Sequence, residues 1–100
     1  MGFLRGRAEK RRRRHEPDPE LPFLTVGQAD SLLLGARIYS LGLGHPATIE
    51  GRSLVLQDGR RLDMYDLARQ LSLVPEREWT GVIAADLDRR LAPGAQDGPA

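Results

Sequence analysis

The stretch TVGQADSLLLGARIYSLGLGHP, residues 25 to 46, carries both ends of a helix within one line of sequence. Thr25 with Gln28 three residues on is the reciprocal capping pair that starts a helix, and Leu24 just before it can staple the first turn. Gly42 and Gly44 supply a stop, and Pro46 forbids continuation. Between these ends Ala29, Leu32, Leu33, Ala36, Tyr39 and Leu43 recur at helical spacing and make one apolar face. At about 100° per residue, Leu34, Ile38 and Leu41 fall nearly opposite that face, leaving narrow polar strips at Gln28, Asp30 and Arg37. A helix apolar on two sides is either buried on both or holding a partner. The second stripe therefore meets a protein partner, a second copy of the chain, or the chain's own strands and short helix.

The remaining segments are short. ATIE and SLVLQ read as strands joined by Gly51 and Arg52, a pair that suits a two-residue hairpin turn with glycine first. Asp58 and Gly59 form a second hairpin dipeptide, with room for a third short strand at Arg60 to Leu62. Two or three strands alone are marginal in water, so they must pack on helices. Asp63 is an expected N-cap for a short helix through MYDLARQLS, with Asp66 in its first turn and Met64, Leu67, Ala68 and Leu71 facing inward. Pro75 is expected at the first position of a last helix, with Glu76 and Glu78 early and Arg89 and Arg90 late, the order of charges that the helix dipole favours. Trp79, Val82, Ile83, Leu87 and Leu91 form its buried stripe, and Pro93 with Gly94 ends it. The expected fold is α+β: a small single domain of helix, β-hairpin with a third short strand, helix, helix, flanked by disordered tails.

Charge divides the chain. Residues 1 to 15 carry seven cations against Glu9 alone, a net of +6, whereas residues 16 to 100 sum to −5 from eight arginines and thirteen acids. A basic arm is attached to an acidic body. Prolines 17, 19 and 22 favour extended geometry, so residues 1 to 22 read as a disordered basic arm with a proline and acidic lead-in. The domain is then expected at 23 to 92, with a disordered tail at 93 to 100. About 70 residues of fold bring hydrophobic gain and conformational entropy close to balance. No cysteine is present to add a disulfide or a thiolate zinc site, which shifts weight toward self-association or a partner. No stretch approaches the roughly 20 apolar residues that span a bilayer, and no apolar segment follows the N-terminal cations as in a signal peptide. Integral membrane association is not expected, and the cytoplasm is the expected compartment.

With the segments laid out, the chain resembles a group of small actinobacterial proteins. They share a basic, arginine-rich N-terminus, an acidic proline lead-in like EPDPELPFLTVGQAD, a two-strand unit closed by DGRR, and a tryptophan-bearing last helix like REWTGVIAADLDRRL. The resemblance covers residues 5 to 91. In the position of LDMYDLARQL the group's pattern has an aromatic residue followed by asparagine, where this chain has Tyr65 and Asp66. The resemblance implies a short α-β-β-α-α domain and a bacterial source, and no activity.

Catalysis needs convergent acid, base and nucleophile on a scaffold. His15 stands in the arm and His45 in a helix-to-strand connection, neither beside a nucleophile or a second ligand in sequence. Asp58, Asp63 and Asp66 lack the ligand spacing of a calcium loop, and turn and capping roles account for the first two. GLGHP follows a helix and precedes a strand, the reverse of the order that seats a phosphate on a helix N-terminus. Asp86 and Asp88, two apart on a helix, do not face each other and are expected in solvent. No catalytic residue, metal ligand, cofactor or small-molecule substrate is assigned.

Two functions remain. In the first, a non-enzymatic interaction protein binds a protein partner or itself through Leu34, Ile38 and Leu41. In the second, an accessory protein binds nucleic acid non-specifically through Arg5, Arg7, Lys10, Arg11, Arg12, Arg13 and Arg14, releasing counterions from phosphate. No aromatic residue interleaves that cluster to stack on bases.

Overall fold

A computed structural model of the chain describes residues 14 to 92. The elements run α1 (Val26–Gly42), β1 (Ala47–Glu50), β2 (Ser53–Leu56), β3 (Arg61–Asp63), α2 (Tyr65–Leu71), a 3-10 turn (Glu76–Glu78) and α3 (Trp79–Leu91). The three strands form one antiparallel sheet in the order β1-β2-β3, so the domain is a small α+β fold with the expected third strand.

Helix α1 begins as its sequence dictates. The Thr25 hydroxyl accepts from the Gln28 N–H at 3.1 Å, and the Gln28 side chain accepts from the Thr25 N–H at 3.0 Å. Its other first-turn N–H groups are also satisfied: Val26 donates to the Glu16 carbonyl, Gly27 to that of Arg14 and Ala29 to that of Thr25. At the far end Gly44, at φ +88°, donates to the Leu41 carbonyl, and His45 donates to that of Ser40. This doubly bonded C-terminal cap uses the left-handed backbone that glycine adopts without cost.

The second hairpin differs from the dipeptide turn expected at Asp58 and Gly59. The Leu56 N–H pairs with the Arg60 carbonyl, and the Gly59 N–H returns to the Leu56 carbonyl, so the loop holds three residues and closes with Gly59 at φ +92°. Asp58 stays at negative φ, where its carboxylate accepts from the Arg60 N–H at 2.9 Å. Type I turn geometry followed by a left-handed glycine needs only one such residue, so the aspartate avoids strain. Gly59→Ala should cost about 1–2 kcal/mol, the penalty of placing a Cβ in the left-handed region, read as a lowered urea midpoint.

Two helix starts are displaced from expectation. Met64, not Asp63, is the N-cap of α2; Asp63 ends β3, and its carboxylate accepts from the Tyr65 N–H at 3.1 Å. Pro75 precedes a 3-10 turn rather than opening α3 directly, because its extended ψ of 147° lies outside a helix. The Trp79 indole N–H then donates to the Leu71 carbonyl at 3.1 Å and to the Val74 carbonyl at 3.3 Å, closing the C-terminus of α2.

The core gathers Ala29, Leu32, Leu33 and Ala36 of α1, Leu54, Leu56 and Leu62 of the sheet, Met64, Leu67, Ala68 and Leu71 around α2, and Trp79, Ile83, Leu87 and Leu91 of α3. Helix α1 lies between α3 and β1 and touches both. Of its expected inner face, Tyr39 is half-buried and Leu43 exposed, while Ser40 is buried and bonds the Arg37 carbonyl. Arginines meet both outer strands of the sheet: Arg37 Nε donates to the Ala47 carbonyl and Arg90 Nη1 to that of Asp63. Carbonyls covered in this way are closed to pairing with another chain.

The boundary expected between residues 22 and 23 does not separate the lead-in from the core. Leu21 and Leu24 belong to the hydrophobic cluster, and Asp18 is 1% exposed. Residues 16 to 26 form a loop closed on itself, with Val26 bonded to Glu16, Asp18 to Leu24, and Leu24 back to Leu21. The carbonyls of Arg14 and Glu16, in the turn and bend that lead into this loop, supply two of the acceptors that the start of α1 requires. The expected tail at 93 to 100 lies outside the described residues.

Candidate interaction surface

Leu34, Ile38 and Leu41 are brought together on the face of α1 turned away from the core. They are 51%, 70% and 59% exposed. Helical spacing alone places them there: with Ala29, Leu32, Leu33 and Ala36 turned inward, residues one to two turns on at the opposite angle must point out. The chain's own strands and short helix do not cover them. Three large apolar side chains adjacent on one helix form a patch that ordinary surface composition does not require.

Polar contacts hold the helix in this rotation on both flanks. On one flank Arg37 reaches the Ala47 carbonyl, and Asp30 accepts from Arg52 Nη1 at 2.8 Å and lies 3.7 Å from Arg14 Nη1. On the other, the Tyr39 hydroxyl donates to Asp88 Oδ1 of α3 at 2.8 Å, a hydrogen bond that raises the phenol above its ordinary range. The flanking charges are thus committed to the fold, and the stripe between them is left apolar.

The other sequence-derived candidates scatter. Arg5, Arg7, Lys10, Arg11, Arg12 and Arg13 lie outside the described residues. Arg14 faces Asp30, and its carbonyl caps α1. Asp58 and Asp63 accept turn N–H groups; the N–H and guanidinium of Arg60 hold the Asp58 carboxyl below its usual range. His45 spends its N–H on the α1 cap.

Asp86 and Asp88, expected in solvent, are both engaged. Asp86 is buried between Arg89 at 2.6 Å and Arg90 at 2.8 Å, one helical turn on, and Asp88 holds Tyr39. The i,i+3 and i,i+4 spacing of acid and arginines in DLDRR carried that signal.

The most buried charge among the described residues, Asp18, is one that sequence reasoning missed. Asp18 Oδ2 accepts from the Leu21 N–H at 2.9 Å and the Glu20 N–H at 3.1 Å, while Oδ1 accepts from Arg52 Nε at 2.9 Å and from Arg52 Nη2. Burial would raise this carboxyl, but the Arg52 guanidinium and the two N–H groups outweigh it and hold the group below its usual range. The local half was readable, since an aspartate followed by two or three free N–H groups makes an Asx turn. The long-range half, an arginine in the β1–β2 turn, was not.

Two open depressions border α3. One, about 580 Å³, has Gln70, Glu78, Val82, Asp86 and Arg89 in its walls; the other, about 480 Å³, runs past Gly27, Ser31 and Gly35, where Gln28 Nε2 donates to Glu76 Oε1 at 2.8 Å. In the first Asp86 is paired with Arg89, and in the second Glu76 is taken by Gln28. No helix among the described residues is long and apolar enough to cross a membrane. Comparison of the chain with family models, curated proteins and solved structures finds no match to any of them.

Proposed function

We propose that this chain is a small non-enzymatic interaction protein of the cytoplasm that presents the outer stripe of α1 to a second polypeptide, in the first instance a second copy of itself. One observation carries the reading: Leu34, Ile38 and Leu41 remain 51%, 70% and 59% exposed on a helix whose opposite face packs into the core through Ala29, Leu32, Leu33 and Ala36. A single helix face is self-complementary under two-fold symmetry, so the same three residues can serve on both sides of a contact.

The magnitude sets the strength. Burying a leucine or isoleucine is worth about 1.5–3 kcal/mol when fully exposed at the start, so these side chains offer roughly 1–2 kcal/mol each. Six of them across a pair supply about 6–12 kcal/mol, against an association cost of about 4–15 kcal/mol. Gain and cost nearly cancel, so the contact is weak at best and small beside standard interfaces. Sedimentation equilibrium of the wild type at high micromolar concentration should show reversible self-association, and Leu34→Glu with Ile38→Glu should abolish it while leaving the far-UV spectrum unchanged. Folded monomer in both proteins at all concentrations would refute self-association.

A further inference from the structure

We propose that residues 14 to 24 form a latched cover that opens as a unit, with Arg52 as its latch, while the sheet, α2 and α3 stay folded. The cover is built to move as one piece. Its backbone bonds are internal, Asp18 to Leu24 and Leu24 to Leu21, or run to the first turn of α1, Val26 to Glu16 and Gly27 to Arg14. The Asp18 carboxylate ties the loop internally through the N–H groups of Glu20 and Leu21.

Apart from the burial of Leu21 and Leu24, its polar hold on the sheet is concentrated at one side chain. Arg52, at the tip of the β1–β2 turn, donates Nε and Nη2 to Asp18 and Nη1 to Asp30, so a single guanidinium joins the loop, the hairpin and α1. Arg14 adds a looser contact, 3.7 Å from Asp30. Phe23 completes the attachment edge-on against Tyr65 at the start of α2, ring centroids 5.0 Å apart. Apart from Asp30 in the second turn of α1, these anchor points are at element ends or in a turn, where local opening is cheapest.

Opening has a defined consequence. Leu21 and Leu24, 2% and 3% exposed, leave the core cluster, and an apolar recess at the base of α1 becomes accessible. The latch would also govern the root of the basic arm, since Arg14 directly follows Arg11, Arg12 and Arg13 in the chain.

Native-state hydrogen exchange on the full chain tests this. In wild type the amides of Leu24, Val26 and Gly27 should exchange as one group, through an opening at least about tenfold more populated than the one that exposes Leu56 and Ala68, bonded within the hairpin and α2, and Arg52→Gln should accelerate that group further. Asp18→Asn, which retains an acceptor for the loop N–H groups, should give the same pattern at smaller amplitude. A single common opening for all five amides in wild type, no acceleration of the group in either variant, or loss of the fold in both would overturn the proposal.

Discussion

Trp79→Ala should remove about 3–5 kcal/mol, the usual loss for emptying a buried aromatic site, and bring a domain of this size close to unfolding at 25 °C. The ring is buried where α3 begins, and its N–H serves the carbonyl of Leu71 at the end of α2 and that of Val74 in the connection after it. Removing it opens a cavity and leaves two acceptors without that donor. Trp79→Phe separates the two effects, keeping most of the apolar volume and losing about 1–2 kcal/mol for the missing donor. Because this is the chain's one tryptophan, unfolding of both variants is followed by far-UV circular dichroism rather than fluorescence. If Trp79→Phe proved as destabilising as alanine, the hydrogen bonds, not the packing, would dominate.

Asp18→Ala should cost about 3 kcal/mol. Removing one member of a buried pair costs about 3–5 kcal/mol, and the lower end applies because Arg52 keeps Asp30 and is 18% exposed. Arg52→Ala leaves Asp18 buried beside only its N–H donors and should cost at least as much. In urea denaturation the double variant should lose clearly less than the two single losses combined, since the second substitution removes a group already stranded by the first. Simple additivity would show that the two side chains do not act as a pair. The pH dependence has a definite sign. The folded pKa of Asp18 is depressed, so its contribution is fully present above the unfolded value, about 3.9, and is lost as pH falls through the folded value. Asp18→Ala should accordingly flatten the stability profile below about pH 4.

Where backbone period alone decides, residue identity was sufficient. The two faces of α1, its capping pair, the glycine that ends it and the inner face of α2 all follow from spacing, and the structure places Leu34, Ile38 and Leu41 together on the exposed side. The misplacements arise where a side chain far along the chain decides. The prolines of the lead-in read as extended backbone, but residues 14 to 25 are turns and bends with one isolated bridge between Pro17 and Thr25, held in place by Arg52, thirty-four residues from Asp18. Asp86 was assigned to solvent from its spacing to Asp88 alone, while the two following arginines neutralise it and permit its burial. At Met64 and Pro75 the helices start one residue or one turn later than expected, because a strand residue and a 3-10 turn supply the entry.

The outer face of α1 is proposed as a contact surface. Methyl-resolved NMR on isoleucine- and leucine-labelled protein, diluted from about 1 mM to about 10 μM, a span of weak affinities, tests it most directly. The account predicts concentration-dependent shifts at Leu34, Ile38 and Leu41, with the buried Leu32, Leu33 and Leu54 unmoved. Invariant stripe methyls, or shifts centred on a different surface, would contradict it.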